Sequence, residues 1–433
     1  MAVALVLASL AGIHASTRQQ NTSAADLDLL LNLRSYVELE KALKSDGGLS
    51  PEDRAFFTGV MANRRNRAAE SIKLLQPLIP ELSRSNQRRA VFALSTLADD
   101  YEKTFQYAAA ADTYANLVQN FQPDMTPGEF SRAGQEAERW NLLRGALPQT
   151  AIVNGPFSVE TKSNRVGLVQ TTVSVAGHVI PMILDTGANL STLSRSTALK
   201  LGLKLSSGQT TIEGMTGNSI PARTAVIPEL RFGKAVIRNV AVVVVEDKEM
   251  FVPALQYRLP GSLGFPVLSA LGRITFFSDN RFGVGVRPTP GKSVNGNLFL
   301  QRLTPIVAVR IRGKQELFTI DTGATGSFLS ARYYGDFRRE FESQMVDEMD
   351  LSGAGGSQIL PIYYARQIIL NLGGACVRMK EIPVLIKARG VPDDYYYGNL
   401  GQSALKSSRS YTFDFQSMSF TLEGPACRAP GIR

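Results

Sequence analysis

Two textures divide the chain. Over roughly the first third, apolar residues recur every three or four positions. Leu27, Leu29, Leu30, Leu33 and Tyr36 fall at helical spacing, and Pro51 after Ser50 marks a helix start. The clearest stretch covers residues 94–123. Leu94, Leu97, Ala98 and Tyr101 predict one helix, Ala110, Ala111, Tyr114 and Leu117 the next, and Pro123 follows. A looser pair is expected over residues 57–77, with Ala62, Ala68, Ala69 and Ile72, and a last helix over 130–147 carries Trp140. After Pro148 the period changes to two. β-Branched and aromatic residues alternate with polar ones between Gly, Pro, Asn and Ser, which predicts an all-β region.

That β region contains an internal repeat. The run VGLVQTTVSV precedes PMILDTGANLSTLS, and LTPIVAVRI precedes LFTIDTGATGSFLS. Downstream of the first come TIEGMTGNSIPA, AVVVVE and GSLGFPVLSAL; downstream of the second come LSGAGGSQILPI, EIPVLI and GNLGQSAL. Asp185 and Asp321 are 136 positions apart, and Gly264 and Gly401 are 137 apart, so the register holds across these landmarks. The expected layout is a signal segment at 1–15, a helical domain at 26–147 and two matched lobes at 158–287 and 298–424. Residues 287–297 read as a linker.

Composition narrows the chemistry. Of 433 residues 44% are hydrophobic and 20% charged, which is globular usage. The net charge of +9 is scattered, without Lys/Arg blocks or an aromatic-rich basic motif, so no nucleic-acid partner is expected. No stretch beyond the N-terminus approaches the roughly 20 apolar residues of a membrane span. The two histidines are His14, in the first fifteen residues, and His178, beside Gly177 in an expected strand turn. No nucleophile motif accompanies either. Two cysteines, Cys376 and Cys427, cannot build a Cys-rich zinc site. No metal or cofactor is implied, and carboxylates remain as the chemistry.

Residues 1–15, MAVALVLASLAGIHA, look like the apolar part of a secretory signal ending in small residues, although no Lys or Arg precedes the run. Export to a periplasm or the exterior is the expectation. There Cys376 and Cys427 could pair; in a cytosol they would stay free.

Each Asp-Thr-Gly-Ala turn follows an apolar run, which puts Asp185 and Asp321 where a buried strand ends. A carboxylate there is costly unless it is hydrogen-bonded or shares a proton. Gly187 and Gly323 permit a tight turn and offer N–H groups to the carboxylate, and Thr186 and Thr322 supply hydroxyls that can fix it. If the lobes pack about a pseudo-twofold axis, the two turns meet there, and two adjacent carboxylates hold one proton between them.

These turns, with the glycine-containing hairpin and the later apolar-Leu-Gly segment, resemble the half-lobe of retropepsins. Two such halves in one chain, over about residues 160–423, resemble the bilobal pepsin arrangement. The resemblance implies an aspartic endopeptidase acting on a protein or peptide, with Asp185 and Asp321 as the catalytic pair and its lobes pairing within one chain. It also implies that Thr186 and Thr322 cross-brace the turns, and that Leu263-Gly264 and Leu400-Gly401 pack behind the aspartates. Gly214, Met215, Thr216 and Gly217, and Gly353 through Gly356, correspond to flap hairpins. Ala188 and Ala324 stand fourth in the turn, as in retropepsins, where pepsins usually carry a hydroxyl. That departure implies a pair less acid-shifted than pepsin's.

The helical positions resemble the tetratricopeptide pattern, and a generic helical bundle is the alternative. Stacked helices offer a face for recruiting a substrate or protein partner. The competing functional reading is a catalytically inactive peptide-binding scaffold with the same fold.

Overall fold

The structure is a computed structural model that describes residues 23–45, 48–214, 218–252, 255–286, 296–353 and 356–427. The expected signal segment, the flap residues Met215, Thr216 and Gly217, and most of the expected linker lie outside the described residues.

Among the described residues, eight α-helices come first: α1 (Ala24–Asn32), α2 (Tyr36–Lys44), α3 (Pro51–Arg64), α4 (Ala68–Leu75), α5 (Ile79–Ser85), α6 (Gln87–Lys103), α7 (Tyr107–Asn120) and α8 (Pro127–Leu142). The stripe expected from Leu27 to Tyr36 is broken in two. Arg34 adopts a φ of 55°, and the Ser35 N–H bonds back to the Leu30 carbonyl, so Tyr36 opens a new helix. Asn66 (φ 57°) and Phe105 (φ 58°) make the same turn between α3 and α4 and between α6 and α7. There Arg67 N–H reaches Ala62 O and Gln106 N–H reaches Tyr101 O. Each is the six-to-one closure of a helix C-terminus, a conformation that usually selects glycine.

The α3–α4 pair packs closely: a Cβ added at Gly59 would lie 2.7 Å from Leu75 Cγ. The last helix starts earlier than expected because Thr126 and Glu129 form a capping box around Pro127. It ends at Leu142, short of the expected residue 147, with Gly145 and Pro148 beyond it.

Beyond residue 149 lie two lobes with one ring topology. In the first, hydrogen bonding runs from Val169–Val175 to His178–Leu184, Ser262–Leu263, Ser191–Ser194, Ala235–Val245 and Ser219–Phe232, then back to the start. The second repeats it with Thr304–Ile311, Lys314–Ile320, Gly398–Leu400, Phe328–Leu329, Ala375–Leu385 and Gly356–Leu372. Short helices that the period-two pattern concealed are duplicated as well. Arg195–Lys200 matches Ala331–Phe337, and Phe265–Ala270 matches Gln402–Leu405. The first two are N-capped by Ser194 and Ser330, whose hydroxyls take up free helix N–H groups.

The lobes are joined by a five-stranded sheet drawn from both. Arg273–Phe277 of the first pairs antiparallel with Ser410–Asp414 of the second. Across it the Thr275 and Thr412 hydroxyls meet at 2.9 Å, and Arg273 Nε donates to Asp414 Oδ2 at 2.8 Å. A disulfide between Cys376 and Cys427 ties the chain after Ser419–Glu423 to the strand Ala375–Leu385.

The helical region does not hang free of the lobes. Leu27, Leu31, Tyr36 and Phe57 share one apolar cluster with Phe299, Ile306, Leu317 and Tyr396 of the second lobe. Tyr36 and Tyr396 both donate to Gln301 Oε1, and Arg65 stacks on Phe299 while donating to Leu298 O. Burying such apolar side chains contributes about 1.5–3 kcal/mol apiece, so helices and second lobe are fixed to each other.

Candidate active site

Each aspartate stands at the end of a buried strand. Leu184 and Ile320, just before them, are fully buried. The amides of Asp185 and Asp321 donate to the carbonyls of Leu263 and Leu400 at 3.1 and 2.9 Å. Those carbonyls belong to short strands that run parallel to the aspartate-bearing ones. Immediately after them, Gly264 and Gly401 press on the turn backbone. A Cβ at either would come 2.7 Å from a carbonyl oxygen, Leu190 O or Ala324 O. Their amides donate to Ser191 Oγ and Ser327 Oγ, each at 3.0 Å. These serines were not singled out from sequence, although both stand six residues after their aspartate. That shared place in the repeat was the available signal.

The two turns are locked to each other. Thr186 N–H donates to Thr322 Oγ1 and Thr322 N–H to Thr186 Oγ1, both at 3.0 Å. The hydroxyls then donate onward, Thr186 to Ile320 O at 3.1 Å and Thr322 to Leu184 O at 2.7 Å. Both threonines are fully buried, so every donor and acceptor in the brace is satisfied across the lobe boundary.

The brace brings Asp185 and Asp321 together. A Cβ at Gly187 would lie 2.5 and 2.6 Å from the Asp321 carboxylate oxygens, and one at Gly323 would lie 2.7 Å from Asp185 Oδ2. Neither glycine has a positive φ. The tight turn expected of them is therefore not what demands glycine; the close approach of the opposite carboxylate is. Asp185 Oδ1 accepts from Gly187 N–H at 3.0 Å and Ala188 N–H at 3.1 Å, and Asp321 Oδ1 accepts from Gly323 N–H at 2.7 Å. The Ala324 N–H is directed instead to the Asp321 main-chain carbonyl at 3.3 Å. Burial raises the Asp185 carboxyl above the ordinary carboxylate range. The N–H groups of Gly187 and Ala188 and a hydrogen bond with the Asp321 carboxyl oppose that rise.

The pair lies in a cleft of about 1250 Å³ between the lobes. Two hairpins border it. Thr210–Glu213 pairs with the start of Ser219–Phe232, and Gly214 N–H donates to Asn218 O at the last described step before the tip. Asp347–Gly353 pairs with Gly356–Leu372, closing at Gly353 opposite Gly356. Gly214, Gly353 and Gly356 all line the cleft.

One wall was not foreseen. Arg132, Glu136 and Arg139 of α8 line the same cleft beside Arg302. Arg139 donates to Thr211 O, on the first hairpin, at 2.6 Å. Glu136 pairs with both Arg139 (2.6 Å) and Arg302 (2.7 Å). Glu102, from α6, accepts from Tyr114 and Trp140 at 2.7 and 3.0 Å and lies 3.4 Å from Arg302. Burial pushes Glu102 up to about 7 despite Arg302, with Glu136 and Asp99 adding to the rise. No group of three or more metal-ligating side chains occurs among the described residues, and no helix among them is long and apolar enough to cross a membrane.

Residues 171–267, which include the first turn and Leu263-Gly264, match the family model described as Aspartyl protease. No curated protein matches the chain. Among solved structures it is similar to a retropepsin-like aspartic protease from Rickettsia conorii, with 21% identity and a TM-score of 0.23. That match covers 30% of this chain and 90% of that one. The first lobe, behind an N-terminal helical region, thus matches the aspartyl protease family, and the second lobe repeats its strand topology.

Proposed function

We propose that this protein is an aspartic endopeptidase whose Asp185 and Asp321 act as one catalytic pair. The observation that carries this reading is the reciprocal approach of each turn glycine to the opposite carboxylate, in the lining of a cleft of about 1250 Å³. With one proton shared between them, the ionised carboxylate takes a proton from a water lodged at the pair. The other donates its proton to the scissile carbonyl oxygen as the water oxygen attacks the carbon. Collapse of the resulting diol, with proton transfer to the amide nitrogen, breaks the C–N bond and restores the singly protonated pair. The buried brace holds both carboxylates in place without reorganisation during these transfers.

The hairpins ending at Gly214 and at Gly353 and Gly356 would cover the bound peptide. The helical region, tetratricopeptide-like in its paired helices, would recruit or orient a protein substrate, a role supported by α8 forming part of the cleft wall. Export to a periplasm or the exterior is part of the proposal, and the Cys376–Cys427 disulfide supports it, since such bonds persist in oxidising compartments.

Incubation with a peptide library, read by mass spectrometry, tests the activity. Cleavage by the native chain and its loss in both Asp185→Asn and Asp321→Asn is expected. Peptide binding without cleavage by the native chain would favour a scaffold instead.

A further inference from the structure

Helix α8 presents Arg132, Glu136 and Arg139 to the cleft, at the three- and four-residue spacing of one helical face. Two of the arginines bordering this end are already committed. Arg139 is held by Glu136 and the Thr211 carbonyl, and Arg302 by Glu136 and Glu102. Arg132 is different. It is half-buried, forms no ion pair or hydrogen bond among the described residues, and its Nε–H is buried without an acceptor. The charges felt there are divided: Arg302 and Arg34 repel it, whereas Glu213, exposed on the first hairpin, and Glu129, one turn earlier on α8, attract it without forming an ion pair with it. Burial and Arg302 together draw the Arg132 guanidinium below its ordinary range, the mark of a cation short of compensation.

A half-buried guanidinium with unused N–H groups, facing a peptide-sized cleft, is best satisfied by a planar anion that accepts two parallel bonds. Resting on the peptidase reading above, we propose that Arg132 is a specificity-determining residue that binds a carboxylate of the peptide substrate at the α8 end of the cleft. The helical region then selects among peptides within the cleft itself. The carboxylate can be an Asp or Glu side chain or the peptide's own C-terminus.

The test compares cleavage of two peptide libraries, one C-terminally amidated and one with free carboxylates, by the native chain and by R132Q, R132K and R132E. The native chain is expected to favour peptides with a carboxylate at one fixed distance from the scissile bond. In R132Q the kcat/KM ratio of such peptides to neutral ones should fall on the order of tenfold, mainly through KM, as expected for loss of a charge-assisted hydrogen bond. R132K should keep part of the preference, and R132E should turn it toward Lys or Arg at the same position. Preference confined to the free-carboxylate library would identify the C-terminus as the group bound; preference in the amidated library would identify a side chain. Absence of any carboxylate preference in the native chain, or the same preference in R132Q, overturns the proposal. Binding of labelled Glu-containing and neutral peptides to D185N and to D185N/R132Q separates this proposal from the activity. If the native chain cleaves nothing, a discrimination that disappears with Arg132 still supports the site, while equal binding in both variants refutes it.

Discussion

Gly187 lies against the Asp321 carboxyl, so closely that a single methyl on its Cα would come 2.5 Å from Oδ1. Because the contact is with a carboxylate across the lobe boundary, Gly187→Ala tests the geometry without touching either aspartate. Peptide hydrolysis should fall at least about a hundredfold, since displacing a reacting group by an ångström has that scale of effect. The unfolding midpoint should move far less. A G187A chain with native kcat/KM would show that the carboxylates do not need their observed separation.

The threonine brace makes a separable prediction. Thr186→Val removes the donor to Ile320 O and the acceptor for Thr322 N–H while leaving both buried. A cost of about 1–3 kcal/mol per orphaned group is expected in denaturant unfolding, together with a reduced kcat. Thr186→Ser keeps the hydroxyl and should stay near native in both measurements. A T186V chain near native in both measurements, with the loss confined to T186S, would assign the effect to the methyl group and not to the brace.

The pH dependence of cleavage follows from the sign of the Asp185 shift. Catalysis needs one proton on the pair, and Asp185 holds its proton above the ordinary aspartate value of 3.8. The fall of kcat/KM with rising pH should therefore come at higher pH than an unperturbed carboxyl would give. A profile centred below about pH 3 would contradict this, and would also contradict the expectation drawn from Ala188 and Ala324.

Stability should carry a separate pH signature from the helical region. Glu102 is raised from 4.5 to about 7 and Asp100 from 3.8 to about 7, both chiefly by burial. Folded chains thus bind these protons more tightly than unfolded ones, and stability is lost as pH climbs through that window. Glu136, held down by Arg139 and Arg302 against its own burial, acts oppositely, losing its contribution as pH falls below about 4.5. Glu102→Gln should flatten the decline in unfolding free energy between pH 5 and 7.5, by at most about 3 kcal/mol. An unchanged slope in E102Q would exclude Glu102 as its source.

Much of this arrangement was legible in sequence because the β region states its plan twice. The duplicated turns and Leu-Gly segments anticipated two equivalent lobes, and the structure brings Asp185 and Asp321, with Thr186 and Thr322, to one place. Local pattern served less well where tertiary packing decides. The need for glycine at 187 and 323 comes from a carboxylate in the opposite lobe, which no local turn rule reveals. Arg34 adopts a left-handed turn at a position that looks like ordinary helix, so the break before Tyr36 was invisible. Arg132, Glu136 and Arg139 read as the polar face of an amphipathic helix. Only the fold shows that this face borders the cleft.

The central claim is one catalytic pair within one chain, and a mixing experiment addresses it most directly. Asp185→Asn and Asp321→Asn chains are assayed for peptide cleavage separately and as an equimolar mixture, beside the native chain. Activity is expected in the native chain alone, with neither variant nor their mixture cleaving. Activity restored by mixing would place the pair between two chains, and substantial cleavage by either variant alone would contradict a shared catalytic site.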